Sequence, residues 1–419
     1  MSTLAPPVDP LRLPLVGLAA RVLTRGPAVT VRNWRKAVLR TDYRRGSRRA
    51  ARAEAREVAD PSIVAAGAQL RRNLLAAQAH KHAAAGYRVL MLRPGSITAE
   101  IWFGDLQRCM QHAGIPCRVL PPDAAPADIA AAFEAFQPNV FIATESVQSL
   151  RLLDLHAIAR HKRRHGCLRH FVPVWHAGVP RAHVPGGRST RAEDAWRRRL
   201  RRNGLLADAH FSIFEPEFHE RFSCDPAAPA VEYVVVAQGC NPFTDFPVDA
   251  PRRYDYLMAT SMTDERVEVS YRFLRPILRG YQGMWAGARW GFGVEQGIPP
   301  AQMPLQYAQA RIALSPLVGF VHHYSAEVTH RVYAAAGCGA FQITMPTPIT
   351  HRYFREDELV QAASPAQYAR LFAHYVERPQ ERNAIALAAM RRVYGEHTCF
   401  HRVDTLVQHW NRWRRQGLF

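Results

Sequence analysis

Residues His330 to Thr344 read HRVYAAAGCGAFQIT. From Ala334 to Gly339 the chain is almost wholly Ala and Gly, and it then runs straight into a strand-like AFQIT. Side chains this small build no core by their own bulk; they let something come close. The longer segment SAEVTHRVYAAAG fits a helix with Ser325 as N-cap and Gly337 or Gly339 at its C-terminal end. It follows the short apolar run RIALSP (311–316) after a loop, so the spacing predicts strand, loop, helix, strand, the repeating unit of a parallel sheet.

The same alternation extends outward in both directions. On the C-terminal side, Ser364-Pro365 starts one helix, with Pro at its first position. A second runs from near Pro379 to Gly395. A third follows Thr398, with Phe400, Val403, Leu406, Val407 and Trp410 on one face. On the N-terminal side, YDYLMATS (254–261) and ARWGFGV (288–294) read as strands. RVEVSYRFLRPILRGY and PPAQMPLQYAQA read as helices. Before them QGCNPFTDFPVDAPRRYD (238–255), dense in Pro, Gly, Asn and Asp, reads as an interdomain linker. Upstream, six apolar runs, YRVLML (87–92), PCRVLP (116–121), NVFIAT (139–144), RHFVPVWHA (169–177), AHFSIF (209–214) and VEYVVVA (231–237), alternate with helical segments from residue 61 onward. The expected organisation is a basic extension (1–60), an N-terminal Rossmann-like domain (61–245), a second Rossmann-like domain (246–395) and a C-terminal helix (396–419) packing back across the domains. Two doubly wound α/β domains place their ligands at a crevice outside the carboxyl ends of their strands.

Composition narrows the function. The 419 residues suffice for two domains, and with 48% apolar residues each can bury a core. The seven Cys show no close spacing of metal-ligand or redox type, which reads as reduced thiols in a cytosolic protein. The start, MSTLAPPVDP, has no basic n-region or apolar h-region, and no apolar run approaches a spanning helix. The net charge of +20 is carried almost entirely by Arg, with only Lys36, Lys81 and Lys162 as lysines. That skew follows codon bias as readily as selection for phosphate contacts, and no zinc finger, RNP motif or Gly-x-x-Gly clamp accompanies it, so nucleic acid is set aside. Neither a Gly-Lys-Ser/Thr P-loop nor a Val-Ala-Ile-Lys kinase strand is present. The basic residues 12–56 have two readings: an interfacial contact with an anionic cytoplasmic leaflet, and a solvated helical extension or tail, which is the plainer one.

Candidate sites follow from placement. Free N–H groups and the macrodipole at the start of the 327–337 helix favour a phosphate, with Thr329, His330 and Arg331 adding donors and charge. The plainer account is a helix packed closely for packing alone, with Arg331 in an ion pair. Arg266, in SMTDERVEV, could meet a diphosphate as a planar fork, or pair with Asp264 or Glu265. Gly95 and Ser96, in RPGSIT, sit where a sugar or acceptor would approach, or in an ordinary βα turn. His176, in WHAGVPRAHVPGGRS, could act as a base, or be structural. His322 and His323 lack a third ligand at useful spacing, so no metal is assigned. GCNP (239–242) reads as linker geometry.

The pieces ARIALSP, EVTHRVYAAAGCGAFQIT, ITHRYFREDELV, SPAQYARLFAHYVERPQER and RRVYGEHTCFHRV, about residues 311–402, resemble the C-terminal half of GT-B glycosyltransferases. Within that group they more nearly resemble the spore-maturation CgeB-type and group-1-like transferases. The resemblance implies a cytoplasmic GT-B enzyme, on the membrane's cytoplasmic face if residues 12–56 bind lipid. It would move a sugar, with retention, from a nucleoside-diphosphate sugar to a glycan, lipid-linked or protein acceptor in bacterial glycan or glycoconjugate synthesis, without cofactor or metal. The donor would bind mainly on 254–395 and the acceptor on 61–245. The family's second Glu of a Glu-x7-Glu pair is Ala334 here, and Ala326 lies eight residues before it; Glu327, one place off, is the carboxylate left to serve in the site. Two other readings stay open: a non-transferase such as a nucleotide-sugar epimerase, and a basic scaffold on membrane or nucleic acid.

Overall fold

A computed structural model describes residues 27–50, 60–93, 95, 97–143, 153–166, 169–174, 191–213, 232–294, 296–316 and 328–417. These fall into two compact units, one drawn from 69–242, 325–333 and 393–419, the other from 1–68, 243–324 and 334–392.

The first unit is built on β1 (Val89–Leu92), β2 (Cys117–Leu120), β3 (Val140–Ile142), β4 (Arg169–Val174), β5 (Ala209–Ser212) and β6 (Glu232–Val235). The order is β2-β1-β3-β4-β5-β6, and every pair is parallel. All residues of β1 and β3 are buried, the pattern of a sheet covered on both faces. Leu90, Leu92 and Phe141 pack with Ile129 and Phe133 of the Pro126–Phe136 helix and with Leu155 and Ile158 of the Leu155–His165 helix. That last helix starts where Asp154 accepts N–H bonds from His156 and Ala157, and ends at Gly166 in the left-handed region. The C-terminal helix, Cys399–Arg415, buries Phe400, Val403, Leu406, Val407 and Trp410, the apolar face expected from its spacing. Trp410 meets the Tyr87 ring at 5.0 Å, and Tyr87 Oη donates to Asn411 Oδ1 at 2.7 Å.

The second unit carries β7 (Tyr254–Ala259), β8 (Gly283–Ala286), β9 (Ala310–Ser315), β10 (Gln342–Thr344) and β11 (Val360–Gln361), ordered β11-β10-β9-β7-β8 and parallel throughout. The Pro365–Val376 helix has its N-cap at Ser364, whose side chain accepts from Gln367 N–H, with Pro in its first turn. Arg382, almost fully buried, closes that helix by donating to Val376 O at 2.8 Å.

Four expectations change. First, ARWGFGV is not a strand. Gly287, Arg289, Gly291 and Gly293 all have positive φ, which a strand cannot hold. The segment folds back instead, with Val294 N–H donating to Trp285 O, and Trp290 and Phe292 packed on Trp285. The strand is GMWA just before it, where Gly283 leaves room for the Tyr256 ring; a Cβ there would come within 2.1 Å of it. Second, RVEVSYRFLRPILRGY is two helices, Asp264–Phe273 and Arg275–Gly280, because Pro276 cannot donate to the preceding turn. Third, the helix of the opening stretch begins at His330, not near Ser325; Val328 and Thr329 are not helical, and Ser325 lies outside the described residues.

Fourth, the basic segment is not a solvated extension where it is described. Pro27–Ala50 is one helix lying on the Asp264–Phe273 and Arg275–Gly280 helices. Val38 and Leu39 are buried, and so is Asp42, which accepts from Arg275 Nε at 3.0 Å. Arg32 pairs with Asp264 at 2.7 Å, Arg35 pairs with Glu268, Lys36 donates to Arg289 O, and Tyr43 Oη donates to Gly283 O at 3.1 Å. Its apolar content is too small to announce docking in the sequence; ion pairs and backbone contacts do the work, with the Trp34 ring 5.4 Å from Tyr271 and the Tyr43 ring 5.3 Å from Phe292.

Candidate functional site

The Ala-Gly run has a structural reason. The His330–Gly337 helix ends in a Schellman motif: Ala340 N–H reaches Ala335 O at 3.0 Å, and Gly339 N–H reaches Ala336 O at 2.9 Å. Gly339 takes φ +64°, and a Cβ there would stand 2.5 Å from Ile63 Cγ2, so Gly339 rather than Gly337 is the required glycine. Ala335, Cys338 and Ala340 pack on Leu257 of β7 and on Ala310 and Ala313 of β9. Small side chains bring this end of the helix close to the sheet.

In the second unit the chain leaves β7 toward β8 on one side, while β9 leads to β10 and β11 on the other. The carboxyl ends of β7 and β9 therefore flank the topological switch point, where open parallel sheets take ligands. Thr260 and Ser315 stand at those ends, both buried. Thr260 is fixed through its backbone, whose carbonyl accepts from Trp290 Nε1 at 2.7 Å. The Ser315 hydroxyl has no hydrogen-bond partner among the described residues. Arg266 follows β7 on the helix capped by Thr263, and its Nη1 donates to Ser261 O at 2.9 Å. Asp264, one of the two carboxylates considered as its partner, pairs with Arg32 at 2.7 Å.

In the first unit the switch point lies between β1 and β3. Gly95 stands at the carboxyl end of β1 and is exposed. Among the described residues a Cβ added to it would meet only Pro122, at an ordinary 3.6 Å, so close approach does not demand glycine there. His176, Ser96 and Glu327 lie outside the described residues, as do His322 and His323. Thr329, His330 and Arg331 are half-buried where the key helix starts, with Thr329 O accepting from Val332 N–H.

Two residues that the sequence did not single out stand beside His330. Asp105, in the Ile97–His112 helix, is buried; its Oδ2 lies 3.5 Å from His330 Nε2, and its Oδ1 accepts from Asn241 Nδ2 at 2.6 Å. GCNP is thus more than linker geometry, since its Asn anchors a buried carboxylate. Gly239 of the same motif is also needed, because a Cβ would come within 2.8 Å of His397 O. Next to Asp105, Cys109, Cys240 and Cys399 come together from three distant positions. A Cys109 hydrogen bond, burial and the Asp105 charge push the Cys399 thiol well up, so it stays protonated. Among the described residues no group of three or more His, Cys, Asp and Glu is arranged to hold a metal, and no helix is long and apolar enough to cross a membrane.

Residues 266–408 match a family model described as glycosyl transferase-like. Solved structures of the same fold include Anabaena HepE, crystallised with UDP and glucose. It is 9% identical, with a TM-score of 0.52, over 78% of this chain and 99% of that one. Sucrose-phosphate synthase from Thermosynechococcus elongatus is 12% identical, with a TM-score of 0.50, over 79% and 99%. At such identities the likeness is one of fold. No curated protein matches the sequence.

Proposed function

We propose that the chain is a glycosyltransferase of the GT-B fold that transfers a sugar, with retention, from a nucleoside-diphosphate sugar to a glycan, lipid-linked or protein acceptor. The observation that carries this is the match over residues 266–408, which spans β8 to β11 and the His330–Gly337 helix. HepE, which shares the fold and was crystallised with UDP and glucose, is in keeping with the same donor chemistry.

In this reading catalysis rests on placement and on electrostatics. Arg331 and Arg266 receive the diphosphate as charged donors, and Thr329, His330 and the N–H groups of the helix start complete its cradle. As the glycosidic C–O bond breaks, negative charge builds on the departing diphosphate, and these groups stabilise it. Gly95 and Ser96 line the acceptor side. His176 and Glu327 supply the base and the carboxylate. No metal or organic cofactor enters the reaction. The enzyme works on the cytoplasmic side in bacterial glycan or glycoconjugate synthesis, and the basic N-terminal residues bring it to anionic membrane.

A panel of nucleotide sugars screened by calorimetry, followed by an assay of nucleoside-diphosphate release, tests the proposal. Release that depends on an added acceptor is the expected result. Interconversion of the sugar with no release would show an epimerase. Salt-sensitive binding to vesicles with no nucleotide-sugar affinity would show a scaffold.

A further inference from the structure

The reading above puts His330 on the donor diphosphate. Resting on it, we propose that Asp105 is a positioning residue that holds the His330 imidazole in place, and that Asn241 in turn holds Asp105.

Asp105 sits in the interior of the Ile97–His112 helix, eight residues past its first. There it caps nothing and is too far from the N-terminus to profit from the macrodipole, and Asp is a poor helix former. It is also buried, at 8% exposure. A carboxylate taken out of water is costly unless it is hydrogen-bonded and paired. Nothing in the local helix repays that cost, so the reason for an Asp at this position lies in what it touches.

It touches two groups from distant parts of the chain. Asn241 is 1% exposed and donates to one oxygen at 2.6 Å. An amide satisfies that oxygen and aims the carboxylate, but brings no charge. The other oxygen faces His330 Nε2 at 3.5 Å, within ion-pair reach and longer than a hydrogen bond. The adjoining Cys399 thiol brings no positive charge. The chain Asn241, Asp105, His330 has the logic by which a carboxylate fixes a functional imidazole. It sets the ring's rotation and, as an adjacent negative charge, favours the imidazolium, in which Nε2–H faces Asp105 and Nδ1–H is the donor offered to a phosphate oxygen. Such contacts are commonly long without substrate and shorten when it binds.

The test uses the full chain, a panel of UDP, GDP, ADP and TDP with the matching nucleosides, and four variants: His330→Ala, Asp105→Asn, their double, and Arg331→Ala. For the nucleoside diphosphate that binds tightest, His330→Ala and Asp105→Asn should each weaken affinity about ten-fold or more, the worth of a charge-assisted contact. Nucleoside affinity should not change. The double variant should be no weaker than His330→Ala alone, because Asp105 acts through His330. Asp105→Asn keeps size and shape, so folding is maintained. Ring nitrogen NMR of the wild type with the nucleoside diphosphate bound should show both His330 nitrogens protonated, and Asp105→Asn should lower the pH at which the ring loses a proton. Additive losses in the double variant, a loss of nucleoside affinity equal to that of nucleotide, or an unprotonated Nε2 would each overturn the proposal. If Arg331→Ala weakens nucleotide binding while His330→Ala does not, the phosphate site stands and this proposal falls. If neither matters, the phosphate site itself is wrong.

Discussion

Two helices at opposite ends of the chain show how differently a sequence can encode docking. Cys399–Arg415 and Pro27–Ala50 are both rich in Arg, and each packs on its own unit. The C-terminal helix does so through a continuous apolar stripe closed by Trp410 and Trp413. The N-terminal helix buries only Val38, Leu39 and a few polar or small residues; it is fastened by Asp42 to Arg275, Arg32 to Asp264 and Arg35 to Glu268. A stripe is visible at helical spacing. An ion pair is visible only when the partner, here more than two hundred residues away, is already in place.

The contrast predicts different failures. The largest effect is expected at Trp410, which has 0% exposure: Trp410→Ala should cost about 3–5 kcal/mol, read as a lower urea midpoint of the first unit. At the N-terminal helix the deepest fastening is Asp42. Asp42→Ala should cost roughly 1–3 kcal/mol, because its carboxylate is buried while Arg275 stays partly in water. Arg32→Ala removes a surface pair and should cost under about 1 kcal/mol. If it matched Trp410→Ala, the two helices would not differ as described.

Solution conditions sharpen the comparison. At about 1 M salt the Debye length falls to about 3 Å, so limited proteolysis should release the N-terminal helix sooner while the C-terminal one keeps its protection. Acid should do the reverse. Burial pushes the ring of His401 below the usual histidine range, with Arg402 adding to it, and burial does the same for His409. A group depressed in the folded state takes up its proton more readily when unfolded. Stability is therefore full above the ordinary value of about 6.5 and is lost as pH falls below it. Hydrogen exchange of 399–415 at pH 7.5 and 5.5 measures this; equal protection would contradict it.

The same distinction explains what was legible elsewhere. The strand–helix alternation, the Ser364-Pro365 start and the face of the last helix depend on near neighbours, and they were readable. β8 was hidden because its Gly283 makes room for a tyrosine of another strand, while the apolar ARWGFGV beside it imitates a strand until its positive φ values are known. At the candidate site, His330 and Arg331 stood out beside the Ala run. Asp105 and Asn241 did not, since an Asp in mid-helix and an Asn before a Pro are ordinary until the fold sets them 2.6 Å apart. Cys109, Cys240 and Cys399 looked scattered for the same reason.

The central claim is that the start of the His330–Gly337 helix receives a diphosphate. Titration of Arg331→Ala with the preferred nucleotide sugar, and with its free nucleoside as control, tests it most directly. The account predicts about a ten-fold or greater loss for the nucleotide sugar, equivalent to roughly 1.5–3 kcal/mol. Nucleoside affinity and melting temperature should hold, and Arg331→Lys should recover only part of the loss, because a point charge does not reproduce the fork. Wild-type affinity in Arg331→Ala, or an equal loss for nucleoside and nucleotide sugar, would contradict it.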